Sequence, residues 1–473
     1  MQEHHFKVNV KNKQNLLIVG LLTPLQVSAL NLALTSCNSK IHNLHHITKT
    51  AVDSNSLGYI SYHLIPYDQM YYLQPETISE VPVDAEILDA LAQYEPTLLK
   101  MLDRVYPQKK RYRYFDLKRH LYYAYLSYWI TFFTKNDITK IIFHNIPHEG
   151  YDYVIYMLAK YYNIPIRIAY QLQVIDSYII TDDIKSLFTE LAVAHHNLEN
   201  DDIHLNDLSP RMQREYQLRT QKSMPFYMQP KKKSVLKHIY HHLQRKYFPI
   251  SERDKMMANE LIRPSLKYVR QTTLESPYIY FALHYQPEMT TVPLGGVYAD
   301  QFLAIQLISK ALPKNMKLYI KEHPAIYKKR NPSGRFTEFY KKIAALPNTQ
   351  IVPQTLNSFK LIEKSQAVAT ITGTVGWEAL FLNKPVLVFG NIFYQHCPGA
   401  YPIHSYECIQ KAMDTIFLHK QKPKQKSLIK FLKILDDKTK NGVVDFTYLN
   451  TSLTNKEQLI KQLSLSLKSM LTN

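Results

Sequence analysis

Apolar and polar positions divide the chain into two blocks of the same design. In the first, short β-prone runs at 16–22, 58–65, 140–144 and 166–170 are separated by helix-period stretches at 84–105, 116–135 and 149–162. Strands alternating with helices predict a parallel sheet covered on both faces. The stretch 15–34 is apolar at first sight, but Thr23, Pro24, Gln26, Ser28 and Asn31 interrupt it. It predicts a strand and then a helix capped by Thr23 with Pro24 in its first position, and neither a targeting nor a spanning segment. The aromatic stretch 121–134 is too short to cross a bilayer and is flanked by charge, so it predicts a core helix. In the second block the apolar runs lie at 278–283, 317–321, 366–371 and 386–390.

The second block's strands end in loops that carry chemistry. The run 278–283 stops at His284-Tyr285-Gln286-Pro287-Glu288, and 317–321 stops at Lys321-Glu322-His323-Pro324. The third, 366–371, stops at Thr372-Gly373-Thr374-Val375-Gly376-Trp377-Glu378-Ala379, where a helix begins. Polar groups just past strand C-termini stand where open parallel sheets bind ligands. The prolines end the strands and hold the preceding residue extended, which fixes where Gln286 and His323 point. Thr372, Thr374 and the amides of a helix N-terminus favour phosphate, and glycines allow close backbone approach. A tight strand-to-helix connection and a loop histidine bonded to backbone are the plain alternatives for the same residues.

Together these motifs resemble the C-terminal half of bacterial capsule and surface-polysaccharide glycosyltransferases, the group that includes capsular Kdo transferases. Gly390 and Pro398-Gly399 extend the likeness, which runs closely from 278 to about 405 and more weakly into Pro147-His148-Glu149-Gly150-Tyr151-Asp152-Tyr153. The resemblance implies a GT-B fold: two doubly wound α/β, Rossmann-like domains facing across a cleft. In this family a His-Pro pair and a later Ser/Thr pair contact the CMP of an activated sugar. It therefore implies that His323-Pro324 and Thr372/Thr374 hold the nucleotide. The expected donor-binding set is Gln286, Glu288, Lys321, Glu322, His323, Pro324, Thr372, Gly373, Thr374, Gly376 and Glu378. CMP-Kdo or a related CMP-nonulosonic acid is the expected donor, with a UDP- or GDP-sugar, Glu378 on its ribose, as alternative. A non-catalytic glycan- or membrane-binding protein of the same fold is the reading from another class.

A chain of 473 residues suits two α/β domains. The expected limits are 1–255 for an acceptor and catalytic domain with a basic helical connector at about 210–255, 256–420 for the nucleotide-sugar domain, and 421–473 for a basic helical tail. Cys37, Cys397 and Cys408 form neither a disulfide framework nor a ligand set, which points to a reducing, cytoplasmic setting. Cys397, though near the motifs, has no base beside it in sequence and reads as structural. The net charge of +19 gathers at 109–113, 231–246 and 420–440. No nucleic-acid module accompanies it, so the partners expected are an anionic membrane face or an acidic glycan, against a simple solvated basic surface.

Chemistry is expected from the first block. The loop after 140–144 carries His148, Glu149 and Asp152, with Glu149 and Asp152 on one helix face. Sugar transfer needs a carboxylate or imidazole to take the acceptor proton or to stabilise an oxocarbenium-like state. Acidic residues in a first helical turn are also favoured by the helix dipole alone. No metal is expected, since Asp182-Asp183 and Asp201-Asp202 lie in polar loops, and no cofactor beyond the nucleotide sugar.

Overall fold

The structure is a computed structural model, which describes residues 14–37, 40–71, 82–105, 115–197, 202–221, 263–286, 288–329, 335–336 and 338–472. The chain divides into two compact units: one is mainly Met1–Val193 with Leu435–Asn473, the other mainly Ala194–Gln286 with Leu294–Ile434.

The first unit is built on β1 (Gln14–Val19), β2 (Ile41–Thr48), β3 (Ser61–Pro66), β4 (Lys140–Phe143), β5 (Ile166–Gln171) and β6 (Ser177–Thr181). Its seven-stranded sheet runs Lys440–Asn441, β6, β5, β4, β1, β2, β3. The five strands from β5 to β3 are parallel, and β6 and Lys440–Asn441 add an antiparallel edge. Leu16, Ile18, Leu44 and Ile142 make its core with the helix Pro24–Thr35, whose Thr23 and Gln26 form the capping box that Thr23-Pro24 foreshadowed. The helix Phe115–Asn136 buries Tyr122, Tyr125, Trp129 and Phe133, as a core helix should.

Several features depart from expectation, β6 among them, since no strand was expected at Ser177–Thr181. Strand β2 was not anticipated, because His42, Asn43, His45 and His46 give Ile41–Thr48 a polar appearance. The fold pairs it on both sides with β1 and β3 and buries His45 and His46, whose pKa values burial pulls down to about 4, so they pack as neutral rings. The stretch 84–105 is two helices, Ala85–Leu91 and Glu95–Val105.

The second unit is a six-stranded sheet of β7 (Tyr278–Ala282), β8 (Lys317–Lys321), β9 (Thr349–Val352), β10 (Ala367–Thr370), β11 (Val386–Val388) and β12 (Ala400–Pro402), in the order β12-β11-β10-β7-β8-β9. Every pairing is parallel. Strand order reverses between β7 and β10, which makes that gap the topological switch point of a doubly wound sheet. Ile279, Phe281, Leu318, Ile320 and Leu387 pack on one face against helices Gln301–Ala311 and Tyr406–Met413. The Tyr278 and Tyr319 rings pack with their centroids 4.4 Å apart and their planes tilted by 30°.

The unit boundary falls at 193/194 rather than near 255. The described part of the supposed connector, the helix Pro210–Thr220, belongs to the second unit, where Trp377 Nε1 donates to Glu215 Oε1 at 3.0 Å. Residues 222–262, with the basic cluster 231–246, and the cluster 109–113 lie outside the described residues. The stretch 421–473 is not a separate tail. The helix Gln425–Lys438 buries Leu428, Leu432 and Leu435, Lys440–Asn441 joins the first sheet, and the helix Lys456–Thr472 packs Leu463, Leu467 and Met470 into the first unit's core. Among the described residues no helix is long and apolar enough to cross a membrane.

Candidate functional site

Because β10, β7 and β8 are neighbours in one parallel sheet, the loops that follow them emerge side by side at its C-terminal edge. Two buried side chains tie these loops together. His284, after β7, accepts the backbone N–H of Thr372, after β10, on Nε2 at 3.1 Å. The hydrogen of the neutral ring therefore sits on Nδ1, which is buried near the Ala282 carbonyl but makes no hydrogen bond among the described residues. Burial, with His323 and Arg335 adding repulsion, pushes the His284 pKa down to about 3, so it stays neutral at any working pH.

Arg335 ties the β7 loop to the β8 loop. Its Nε and Nη2 donate to Glu322 Oε2 and Oε1 at 2.9 and 2.8 Å, a two-pronged pair with essentially no solvent exposure. Its Nη2 also donates to His284 O at 2.9 Å and Nη1 to Gln286 Oε1 at 3.2 Å. Tyr340 and the His323 backbone N–H donate to the same Glu322 carboxylate at 2.7 and 2.6 Å. Gln301 completes the cluster, donating to Gln286 Oε1 at 2.9 Å and accepting from the His284 N–H at 2.8 Å. A buried pair with its remaining lone pairs satisfied holds geometry, whereas removing one partner costs about 3–5 kcal/mol.

This arrangement sorts the expected donor-binding residues. Gln286 and Glu322 are turned inward and committed to Arg335, so they shape the loops instead of presenting ligand atoms. Lys321 is buried, gives its ammonium to Leu356 O and to Ser358 Oγ at 2.6 and 2.9 Å, and is pushed down to a pKa of about 8 by burial. Glu288 is half-buried in a turn where Thr291 and Val292 donate to its carbonyl. His323 is half-buried with its ring 6.0 Å from that of Tyr285. Its Nδ1 accepts the Ala325 N–H at 3.1 Å at the start of Pro324–Lys329, which leaves the ring hydrogen on Nε2.

At the third loop Gly373 is the N-cap of the helix Thr374–Phe381, no side chain caps it, and Thr372 is buried. The glycines serve packing as much as ligand approach. A Cβ on Gly373 would lie 2.7 Å from Thr370 Oγ1 and 3.1 Å from His284 Nε2, and one on Gly376 would lie 2.3 Å from the Tyr394 hydroxyl. Glu378 points elsewhere: it is buried, 3.8 Å from Arg219 Nη1 beside Glu215, and burial raises it to about 7. That removes it from the strand-end edge and from the ribose role of the alternative donor. Cys397 is buried and its thiol is pushed up by burial, in keeping with a structural residue.

In the first unit, His148, Glu149 and Asp152 do share one loop after β4. Asp152 is its clasp: buried, it accepts the backbone N–H groups of His148 and Glu149 at 2.8 and 2.7 Å across Gly150, whose φ is +88°. Burial and then Glu149 raise its pKa to about 7. Glu149 keeps a half-buried carboxylate that accepts a forked hydrogen bond from the Tyr67 hydroxyl at 2.9 and 2.8 Å. His148 Nδ1 donates to Ile146 O at 2.6 Å. Arg335, Tyr340, Gln301 and Tyr67 had no signal in the sequence, because each acts through contacts far along the chain.

Residues 212–400 match the family model described as capsule polysaccharide biosynthesis protein. That stretch contains all three strand-end loops. No curated protein matches the chain. Solved structures similar to it include two from Thermosulfurimonas dismutans, the KpsC β-Kdo 2,4 transferase and the KpsC β-Kdo 2,7 transferase. The first is 11% identical over 69% of this chain and 87% of that one, with a TM-score of 0.37. The second is 13% identical over 71% and 88%, with a TM-score of 0.36. A UDP-GlcNAc 2-epimerase from Neisseria meningitidis is 11% identical over 97% and 100%, with a TM-score of 0.26.

Proposed function

We propose that the protein is a glycosyltransferase of capsule or surface-glycan synthesis that moves a sugar from a nucleotide donor to a glycan acceptor. The observation that carries the reading is the switch point between β7 and β10, where His284 and Arg335 lock three polar strand-end loops into one edge. Such an edge is where doubly wound sheets hold nucleotides. The match of residues 212–400 to a capsule-synthesis family supports it.

In this reading His323 donates from Nε2 to the phosphate, and Thr372, Thr374 and the uncapped helix N-terminus complete its binding. Positioned donors of this kind stabilise the charge that grows on the leaving phosphate without a divalent ion. Glu149, with His148 beside it, serves the sugar chemistry from the first unit. The donor proposed is CMP-Kdo or another CMP-linked nonulosonic acid; Glu378, buried against Arg219, weakens the version with a UDP- or GDP-sugar on that residue. The positive charge, including the run at 420–440, suits work at the cytoplasmic face of an anionic membrane or on an acidic acceptor.

Thermal-shift measurements against CMP, UDP and GDP test the donor. A ligand at a hundredfold excess over Kd stabilises by about 2.7 kcal/mol. CMP alone should raise the melting temperature. A shift with UDP or GDP only would move the donor class, and no shift with any of the three would favour the non-catalytic reading.

A further inference from the structure

The last stretch of the second unit carries a surface that the donor loops do not use. Between Asp414 and Asp436 the chain has lysines at 420, 422, 424, 426, 430 and 433 and no acidic residue. Lys420, Lys422 and Lys424 fall in the extended segment between the turn Asp414–Leu418 and the helix Gln425–Lys438, and all three are exposed. Successive residues of an extended chain face opposite ways. Here Pro423 faces inward: it is buried against Gly399, where a Cβ would stand 2.4 Å from Pro423 Cγ. Lys422 and Lys424, on either side of it, share the outer side. Among the described residues Lys420, Lys422 and Lys424 form no ion pair, whereas Lys426 is answered by Asp202 at 2.6 Å.

An apolar group stands beside this charge. The turn Asp414–Leu418 is wound as a π-helix, and His419 N closes it by donating to Asp414 O at 3.0 Å. Ile416 lies in the unit's core, Phe417 packs against that core, and Leu418 is left 71% exposed. Its anchored neighbours hold Leu418 out, directly ahead of the lysines. The patch sits on the sheet edge opposite the donor loops. Gly399 precedes β12, and Lys384, close enough to Lys422 to feel its charge, precedes β11. The donor loops instead follow their strands.

A solvated basic face accounts for the lysines and gives Leu418 no partner. An acidic glycan would take the charge and likewise leave the leucine unused. A bilayer with anionic headgroups takes both, the ammonium groups at headgroup level and the leucine at the acyl boundary. We propose that Leu418, Lys420, Lys422 and Lys424 form a contact with the anionic surface of a lipid bilayer, which leaves the donor loops of the second unit uncovered. This deepens the glycosyltransferase reading and rests on it for the purpose of the contact, which is to keep the enzyme where a surface glycan is made.

Co-sedimentation of the full chain with vesicles tests the surface, using phosphatidylcholine alone and an equimolar mixture with phosphatidylglycerol. Wild type should bind the anionic vesicles, release them as salt is raised, and ignore the neutral ones. Each lysine near such a surface adds about fivefold to binding. Changing Lys420, Lys422 and Lys424 together to Gln should therefore weaken it roughly a hundredfold, and changing the same three to Arg should not. Leu418→Ser should weaken it about tenfold, the scale of a leucine taken partly out of water. All these variants should keep the wild-type melting temperature and CMP-induced thermal shift. Unchanged vesicle binding in the Gln variant would overturn the proposal, since other basic segments would then be holding the lipid. Full binding by Leu418→Ser would overturn the bilayer assignment, and polygalacturonate bound by wild type but not by the Gln variant would then give the lysines to an acidic glycan. No vesicle binding with a full CMP shift refutes the surface and leaves the glycosyltransferase reading. Wild type that binds the anionic vesicles but none of CMP, UDP and GDP refutes that reading and leaves the surface standing.

Discussion

His323 shows what a single side chain is asked to do. Its Nδ1 holds the first turn of Pro324–Lys329, and the hydrogen on Nε2 is the donor proposed for the phosphate. The two ends separate by substitution. His323→Asn keeps an acceptor able to cap the turn, and His323→Ala removes both functions. A lost cap costs about 1 kcal/mol, whereas a lost phosphate donor costs roughly 3 kcal/mol in the transition state, about a hundredfold in rate. The Asn variant should therefore melt with wild type and the Ala variant slightly below it, with both about a hundredfold slower in single-turnover sugar transfer. Full activity in well-folded His323→Ala would remove the phosphate role.

Elements were legible in the sequence where apolar period and punctuation agreed. Thr23-Pro24 and Gly373-Thr374 each announced a helix start, and the apolar runs that became β4, β7, β8 and β10 needed little correction. The polar loops at 284, 321 and 372 could be placed at strand ends because strand direction follows from strand-helix alternation. Burial hid the rest. Gln286 and Glu322 read as ligand groups because the sequence held no sign that Arg335 would fill them. Glu378 read as a ribose ligand, whereas its helix presents it to Pro210–Thr220, beside Arg219 and Glu215. That contact between helices has a pH signature. The Glu378 pKa is about 7 in the folded chain against an ordinary 4.5, so between these values the folded chain holds a proton that the unfolded chain has released. Its contribution to stability is full below about 4.5, falls as pH rises toward 7, and is level above that. Asp152, also raised to about 7, follows the same course and cancels in a comparison of variants. The urea midpoint of Glu378→Gln relative to wild type should therefore improve as pH is raised from 4.5 to 7. A constant difference across that range would mean that Glu378 is ionised throughout.

At the scale of the whole molecule the chain returns after Ile434 to finish the unit in which it began. Lys440–Asn441 extends the first sheet beside β6, Gly442 N donates to Asp176 O, and Val444 N donates to Gln171 Oε1 at 2.9 Å. Helix Lys456–Thr472 then buries Leu463, Leu467, Met470 and Leu471 with Ala29, Leu30 and Leu34 in one core. Each such side chain is worth about 1.5–3 kcal/mol when fully buried, so this segment supplies a large part of the margin that a domain has over unfolding. Two units with separate cores need not melt as one, and the two perturbations should then act on different transitions. Stopping the chain after Lys438 should lower or abolish the first unit's transition in calorimetry and expose that unit to limited proteolysis. CMP should raise the second unit's transition, and it should do so in the shortened chain as well, because the β8 and β10 loops, and the β7 loop through Gln286, lie in a unit that ends before the deleted residues. An unchanged melting profile after truncation would show the C-terminal helix to be dispensable to the first unit. A CMP shift lost with the tail would show that the nucleotide is not held by the second unit alone.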